Sequence, residues 1–495
     1  MNQNITKKHE SKVFNLIIIL VSALVMVYIS KNYLTFSHYF NNGNNIMSVS
    51  NLTMVAIMGV LFLLILVLHF KVQAFVALII GSVLVGIGTG MPLNKILSAI
   101  QNGMGGTLGS VATIVGLGAI FGEMLEASGG AQSLSKQLMK TFGKEKASWA
   151  LMLTGFLVAI PVFFDVGFII LIPLVYSLAK ESKKSALYYG IPLLAGLAVT
   201  HTFIPPTPGP VAVAAIIGAD LGWVIFLGAI VGIPTAIISG PMFGSYIGNK
   251  IYVNPDEFIE KTPENIEKVP SFTKVISVIA VPLFLILVNT VSTTLVGSGI
   301  IQKGIITDFL EFLGNPFIAL TISTLIAFYF LGIKEGFTKD AILNLSNKAF
   351  GPIGLVILVT GAGGIFKQIL IDSGIGSLLA NKMAQSSLPT IVLAFLVAVI
   401  VRVSQGSATV SMITAAGIVA PILEVIPVSA PGKALIVLSI ASGATVLSHV
   451  NDSGFWLVGR YFGLDVKDTF ASWTIMETLV GVCGFLFSLI LSFFL

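Results

Sequence analysis

Charge is scarce in this 495-residue chain: only 10% of the residues are Asp, Glu, Lys or Arg, against 55% hydrophobic residues and a mean hydropathy of +0.98. That shortage excludes a soluble enzyme and a nucleic-acid-binding protein, both of which need a polar exterior. Cysteine is nearly absent. Cys483 is the single one, which leaves no pair for a disulfide and no thiolate metal site. Strict two-residue alternation is missing, so an outer-membrane barrel is excluded. No G-x-x-x-x-G-K-[ST] loop speaks for ATP-driven pumping, and no H-E-x-x-H pair or nucleophile-base constellation speaks for a membrane-embedded enzyme.

What the chain has in abundance is apolar runs of about 18 to 25 residues, each able to cross roughly 30 Å of hydrocarbon as a helix. The expected fold is an all-α polytopic membrane protein, and the lipid bilayer is its first partner. The net charge of +5 and pI near 9.0 are a matter of topology, because the basic residues sit in short loops. Lys136, Lys140, Lys144 and Lys146 form one cluster and Lys180, Lys183 and Lys184 the next. Both belong on the cytoplasmic side by the positive-inside rule, yet only the apolar block 147–179 lies between them. That block must therefore enter and return. Pro161, Asp165 and Gly167 interrupt its middle, as a re-entrant helical hairpin requires.

Spans are expected near 52–69, 73–90 and 105–127, then the hairpin, a segment 186–219 broken at Pro205, Pro206, Pro208 and Pro210, and a return helix 222–248. The second half follows the same plan: helices near 275–297, 316–332 and 350–371, an apolar block 389–427 interrupted at Ser404 to Ser407, a broken helix around Asn451, Asp452 and Gly454, and a last helix from about 473. Residues 1–50 read as an extension with one extra helix from Val13 to Ile29, or a signal anchor; 51–248 and 275–495 read as two repeats joined by a cytoplasmic linker, 249–274. Most of the Lys and Arg residues then lie inside, with Lys367 and Arg402 left at membrane depth.

The repeat is visible in the residues themselves. GLGAIFGEMLEASGGAQSL (116–134) lies over GAGGIFKQILIDSGIGSLL (361–379), and the register carries on to Gly167 with Gly406 and His201 with His449. The lysine topology makes the repeats inverted. Inverted repeats with paired, interrupted helices are the layout of secondary transporters, whose substrate sits near the midplane.

Ionisable residues at that depth are functional hypotheses by default. Asp165, at the first hairpin tip, reads as a proton or cation site, or as a cap of the hairpin turn. Arg402 offers a planar fork to a substrate carboxylate, or an internal ion pair with an acidic neighbour. His449, Asp452 and His201 mark the two breaks and complete the proton-coupling candidates. Ser404, Gln405, Gly406, Ser407 and Thr409 concentrate polar groups where backbone N–H groups are freed, and suit an anion or, through oxygens, a cation. Pro205, Pro206 and Thr207 free carbonyls at the first break. Asn451 completes the substrate-binding set. No metal site or organic cofactor is expected; the coupling ion is H⁺, with Na⁺ open, and a cation/proton antiporter is the rival from the same residues.

At TGMPLNKIL, GGTLGSVATIVGLGAIFGEMLEASGGA, IPVFFDVGFIILIPLV, FIPPTPGP, VRVSQGSATVSM and SHVNDSGFWLVGRYFGL the chain resembles the gluconate:proton symporter (gluconate permease, GntP) family of the ion transporter superfamily. The resemblance runs from about Val55 to the C-terminus. It implies uptake of gluconate or a related sugar acid with protons across the cytoplasmic (inner) membrane, idonate, other aldonates, glycerate and D-serine being substrates of similar members. It also implies a homodimer with an elevator-like moving domain. Within FIPPTPGP the resemblance implies a histidine where this chain has Thr207.

Overall fold

The computed structural model describes residues 49–68, 70–255, 269–378, 388–450 and 452–495. The expected helix at 13–29, most of the linker and Asn451 lie outside the described residues. Among the described residues every regular element is helical, and seven continuous or once-broken helices are long and apolar enough to cross a membrane. Helices are the economical answer in hydrocarbon, because each satisfies its own backbone donors and acceptors.

The first half contains α1 (Val49–Leu68), α2 (Ala74–Gly88), α3 (Leu93–Ala127) and α4 (Gly130–Phe142). Next come the paired arms α5 (Ala147–Val158) and α6 (Phe164–Ser182), then α7 (Ala186–Phe203) and α8 (Pro208–Ile217). It closes with α9 (Leu221–Ile237), which passes through a π-helical turn into α10 (Phe243–Lys250). The second half contains α11 (Phe272–Gly297), α12 (Ile305–Gly314), α13 (Pro316–Ala327), α14 (Lys339–Lys348) and α15 (Phe350–Asp372). Then follow the arms α16 (Thr390–Gln405) and α17 (Ala408–Leu423), and α18 (Ala430–Gly443) and α19 (Ser453–Tyr461). The short α20 (Val466–Thr469) leads through a π-helical turn into α21 (Ile475–Leu491).

Both interrupted blocks are hairpins. At 1.5 Å per residue the 12 residues of α5 reach only about 18 Å, and the 16 each of α16 and α17 about 24 Å, short of roughly 30 Å of hydrocarbon. Both broken helices are present as well, α7–α8 and α18–α19.

Three expectations change. α3 begins at Leu93, directly after Pro92 and twelve residues before the expected start, and its glycine-rich first half has Gly103 pressed on α15. The lysine-rich stretch after it is largely the helix α4, amphipathic, with Ala131, Leu134 and Leu138 buried; a window tuned to all-apolar spans passes over such a segment. For the same reason α12 and α14 were not anticipated.

The two halves interlock by exchange. α8 packs on α17, where Gly209 faces the Met412 sulfur, and the C-terminal end of α19 reaches α6, where Phe168 meets Tyr461 and Phe462 at ring-centroid distances of 5.5 and 5.8 Å. Tyr176 donates to the Tyr461 carbonyl at 2.5 Å. The repeat-related helices α3 and α15 cross directly. A Cβ on Gly103 would lie 2.6 Å from the Gly364 carbonyl oxygen, and one on Gly364 would lie 2.4 Å from that of Gly103. Only glycine allows this approach, the small-residue contact that holds helices together where no hydrophobic driving force is available.

Gly364→Ala is therefore expected to push the two helices apart and cost about 1–3 kcal/mol. In detergent the protein's melting temperature should fall by about 2 °C or more. Gly351→Ala, on the same helix with nothing within 4 Å of the added methyl, should leave the melt unchanged; equal melts for the two variants would refute the crossing.

Candidate functional site

The first hairpin tip lies against the first break, and the end of the second hairpin's first arm lies against the second break. Around the first tip and first break a small crevice, partly open to solvent, is lined by Gly118 and Ala119 of α3, Pro161 and Phe163 of the tip, His201 of α7 and Thr207. α3 comes close enough that a Cβ on Gly122 would lie 1.9 Å from the Pro161 carbonyl oxygen. Pro205 and Pro206, joined by a cis peptide bond, end α7, and Pro208 opens α8, since a ring-locked φ and a missing N–H suit a helix start but not its interior. Thr207 is buried and donates to the Ile204 carbonyl at 2.7 Å. The His201 Nδ1 is buried with no partner among the described residues. At its far end α8 presents the Ile216 carbonyl to the Lys367 ammonium at 2.7 Å, with Glu424 3.5 Å from the same ammonium; a cation there complements the helix C-terminus.

The second break is built on Asp452. It caps α19, accepting the Gly454 N–H at 3.1 Å on one oxygen, while the other accepts Arg402 Nη2 at 2.6 Å and the Ser448 hydroxyl at 2.5 Å. Ser448 Oγ in turn accepts Trp473 Nε1 at 2.7 Å, and Thr474 donates to the Ser448 carbonyl. Arg402 is 1% exposed. Its Nε and Nη1 have no hydrogen-bond partner among the described residues, and neither does the buried amide of Gln405. Arg402 and Gln405 stand three residues apart on α16, on neighbouring positions of one helix face. The ring of His449 lies 3.1 Å from the Val403 carbonyl and ties the break to the same helix.

At the second tip Gly406 ends α16 with φ +83, a conformation that favours glycine. Ser404 donates to the Ile400 carbonyl of its own helix, and Ser407 caps α17 by accepting the Val410 N–H. Thr409 is half-buried in the first turn of α17. The sequence left two readings for Arg402, fork or internal pair. In this structure it forms the internal pair and still keeps two nitrogens unpartnered.

The first tip joins this cluster from the other repeat. Phe164 packs on Trp473 with ring centroids 5.5 Å apart. Asp165, beside it, is exposed, forms no hydrogen bond or ion pair among the described residues, and feels the charge of Asp452. The structure thus brings Asp165, Arg402, Gln405, His449 and Asp452 to one place and His201, Pro206 and Thr207 to the adjoining crevice.

One residue escaped the sequence reading. Among the described residues only two charged side chains are buried, Arg402 and Glu477. Glu477 is 4% exposed, in the first turn of α21, and the charges of Arg402 and Asp452 act on it. A lone carboxylate inside the last apolar run was the signal that could have found it.

Two hairpins and two broken helices that meet at a buried charged cluster, in a chain of membrane-spanning helices, define a secondary transporter. The chain belongs to the GntP permease family: the family model, GntP family permease, matches residues 51–494. Over 441 residues it is 41% identical to a gluconate permease of Pseudomonas aeruginosa, covering 88% of this chain and 96% of that one. It is 39% identical to the Gnt-II system L-idonate transporter of Escherichia coli, with 86% and 96% covered, and 39% identical to a gluconate permease of Bacillus subtilis, with 88% and 98% covered. Among solved structures the YdaH transporter of Alcanivorax borkumensis shares the fold, with a TM-score of 0.53 at 13% identity over 81% of this chain and 89% of that one. The protein is an integral membrane permease.

Proposed function

We propose that this permease takes up gluconate, or a closely related sugar acid, together with protons across the cytoplasmic membrane, as a carrier and not an enzyme. The observation that carries the reading is Arg402: a buried guanidinium at the second hairpin tip with two free nitrogens, beside a buried amide with no partner. A guanidinium suits a carboxylate and an amide suits hydroxyls, the two kinds of group a sugar acid carries. The relatives named gluconate permease and L-idonate transporter support the same substrate class.

Charge balance supports the proton. Asp452 already neutralises Arg402, so an incoming carboxylate leaves one uncompensated negative charge in a site of low dielectric, which is costly. A proton taken up by a nearby carboxylate restores neutrality. Asp452 is committed to Arg402, Ser448 and Gly454; Asp165 has no hydrogen-bond or ion-pair partner among the described residues, which leaves it able to take the proton. In this reading 51–248 and 275–495 are inverted repeats, and their hairpins and broken helices carry the substrate.

The test is uptake of labelled gluconate into energised vesicles holding the full chain, with and without collapse of the pH gradient, against competing idonate, glycerate and D-serine. Gradient-dependent uptake suppressed most strongly by aldonates is expected. Uptake that ignores the gradient would remove the proton from the reading, and suppression only by D-serine would remove the sugar acid.

A further inference from the structure

Glu477 lies outside both the hairpins and the breaks, yet it belongs to their cluster. α21 packs along α18, with Gly481 against Ser442 and Val446 and Gly484 against Ser442 and Phe203. Glu477 precedes these glycines by one and two turns on the same side of the helix. One turn earlier, Trp473 and Thr474 hold Ser448, and Thr478 accepts the Leu447 N–H at 3.2 Å. The carboxyl is therefore fixed behind the second break, on the side of Arg402 and Asp452.

The charged and titratable groups around it are few. α16 contributes Arg402, the break contributes His449 and Asp452, and the first tip contributes Asp165 through Phe164 on Trp473; α9 contributes none, α7 offers His201, Tyr188 and Tyr189, and Lys433 stands at the opposite end of α18. Glu477 accepts no hydrogen bond and forms no ion pair among the described residues. The sole cation of the cluster is already paired with Asp452 at 2.6 Å. An ionised Glu477 would be a second buried anion facing one cation. The protonated acid leaves the Arg402–Asp452 pair balanced and leaves Nε and Nη1 of Arg402 free.

We propose that Glu477 is a positioning residue that couples protonation to substrate binding by competing with the substrate carboxylate for the unpartnered nitrogens of Arg402. With the proton on Glu477, Arg402 is free to accept the substrate anion. When the proton leaves to water, the Glu477 carboxylate takes those N–H groups and the substrate is expelled. The inference rests on the proposed proton-coupled uptake of a sugar acid, and deepens it.

The full chain in liposomes tests it with gluconate as the probe, by counterflow half-saturation from about pH 5.5 to about pH 8.5. In the wild type the affinity should weaken by about tenfold or more towards high pH, a size typical of coupling between two sites. Glu477→Gln mimics the protonated acid: its counterflow should persist with an affinity that no longer responds to pH, and accumulation down a pH gradient should be lost. A folded E477Q with the wild-type pH response overturns the proposal. Should E477Q fail to insert, Glu477→Asp decides: a displaced pH midpoint supports the competition, and an unmoved one overturns it. Wild-type vesicles that take up gluconate with no proton influx would overturn the coupled uptake itself, whatever the variants do.

Discussion

Replacing Arg402 by alanine is expected to cut gluconate uptake at least about a hundredfold, in keeping with the loss of one partner of a buried, hydrogen-bonded charge pair. The side chain has two tasks. It neutralises Asp452, and its free nitrogens offer the carboxylate anchor. Its removal leaves Asp452, 13% exposed, with hydrogen bonds from Ser448 and Gly454 but no cation, a loss of about 3–5 kcal/mol for a broken buried pair. Stability and transport can be separated by Arg402→Met combined with Asp452→Asn. That pair deletes both charges while the Asn still caps α19 and meets Ser448. It should recover most of the melting temperature and none of the uptake. Recovery of uptake by the double variant would remove Arg402 from substrate binding and leave it a purely structural ion pair.

Asp165→Asn is expected to cut accumulation against a concentration gradient by about tenfold or more, while exchange of internal for external gluconate continues. Asparagine keeps the shape at the hairpin tip and loses only the titratable oxygen. Because Asp165 is exposed and unpartnered, folding should suffer little; the interaction of a first-turn acid with the N-terminus of α6 is worth about 0.3–1 kcal/mol. Its affinity for gluconate should still respond to pH, since Glu477 is intact, and this distinguishes it from E477Q. Accumulation at the wild-type level in D165N would end the role of this carboxylate.

Much of the architecture was legible in the chain. The first hairpin followed from two lysine clusters on the same side of the membrane with a single apolar block between them, a constraint that holds wherever the rest of the chain goes. The breaks at Pro205 to Pro210 and at Asn451 to Gly454 followed from local backbone chemistry, because proline removes donors and glycine frees the turn. α4 is not legible in the same way, for its single buried stripe falls below a pattern set by fully apolar spans. Glu477 sits in an uninterrupted apolar run, where no break in the helix marks it out.

The candidate site divides along the same line. Which residues are chemically able to act, Asp165, Arg402, Gln405, His449 and Asp452, could be read from their type and their depth in apolar surroundings, since burying an ionisable group carries a cost that function or a partner must offset. Which of them are joined could not. The pairing of Arg402 with Asp452 spans a hairpin and a helix, and that of Phe164 with Trp473 spans the two repeats; such contacts depend on how α6, α16, α18 and α21 pack, a distance no local pattern encodes. Composition, charge placement and backbone-breaking residues by themselves determined a membrane-spanning helical protein with two hairpins and two broken helices. Only the tertiary structure decided that Arg402 spends one side on Asp452, keeps two nitrogens free, and acts by its charge on the buried Glu477, because a buried charge is defined by the groups that surround it in space.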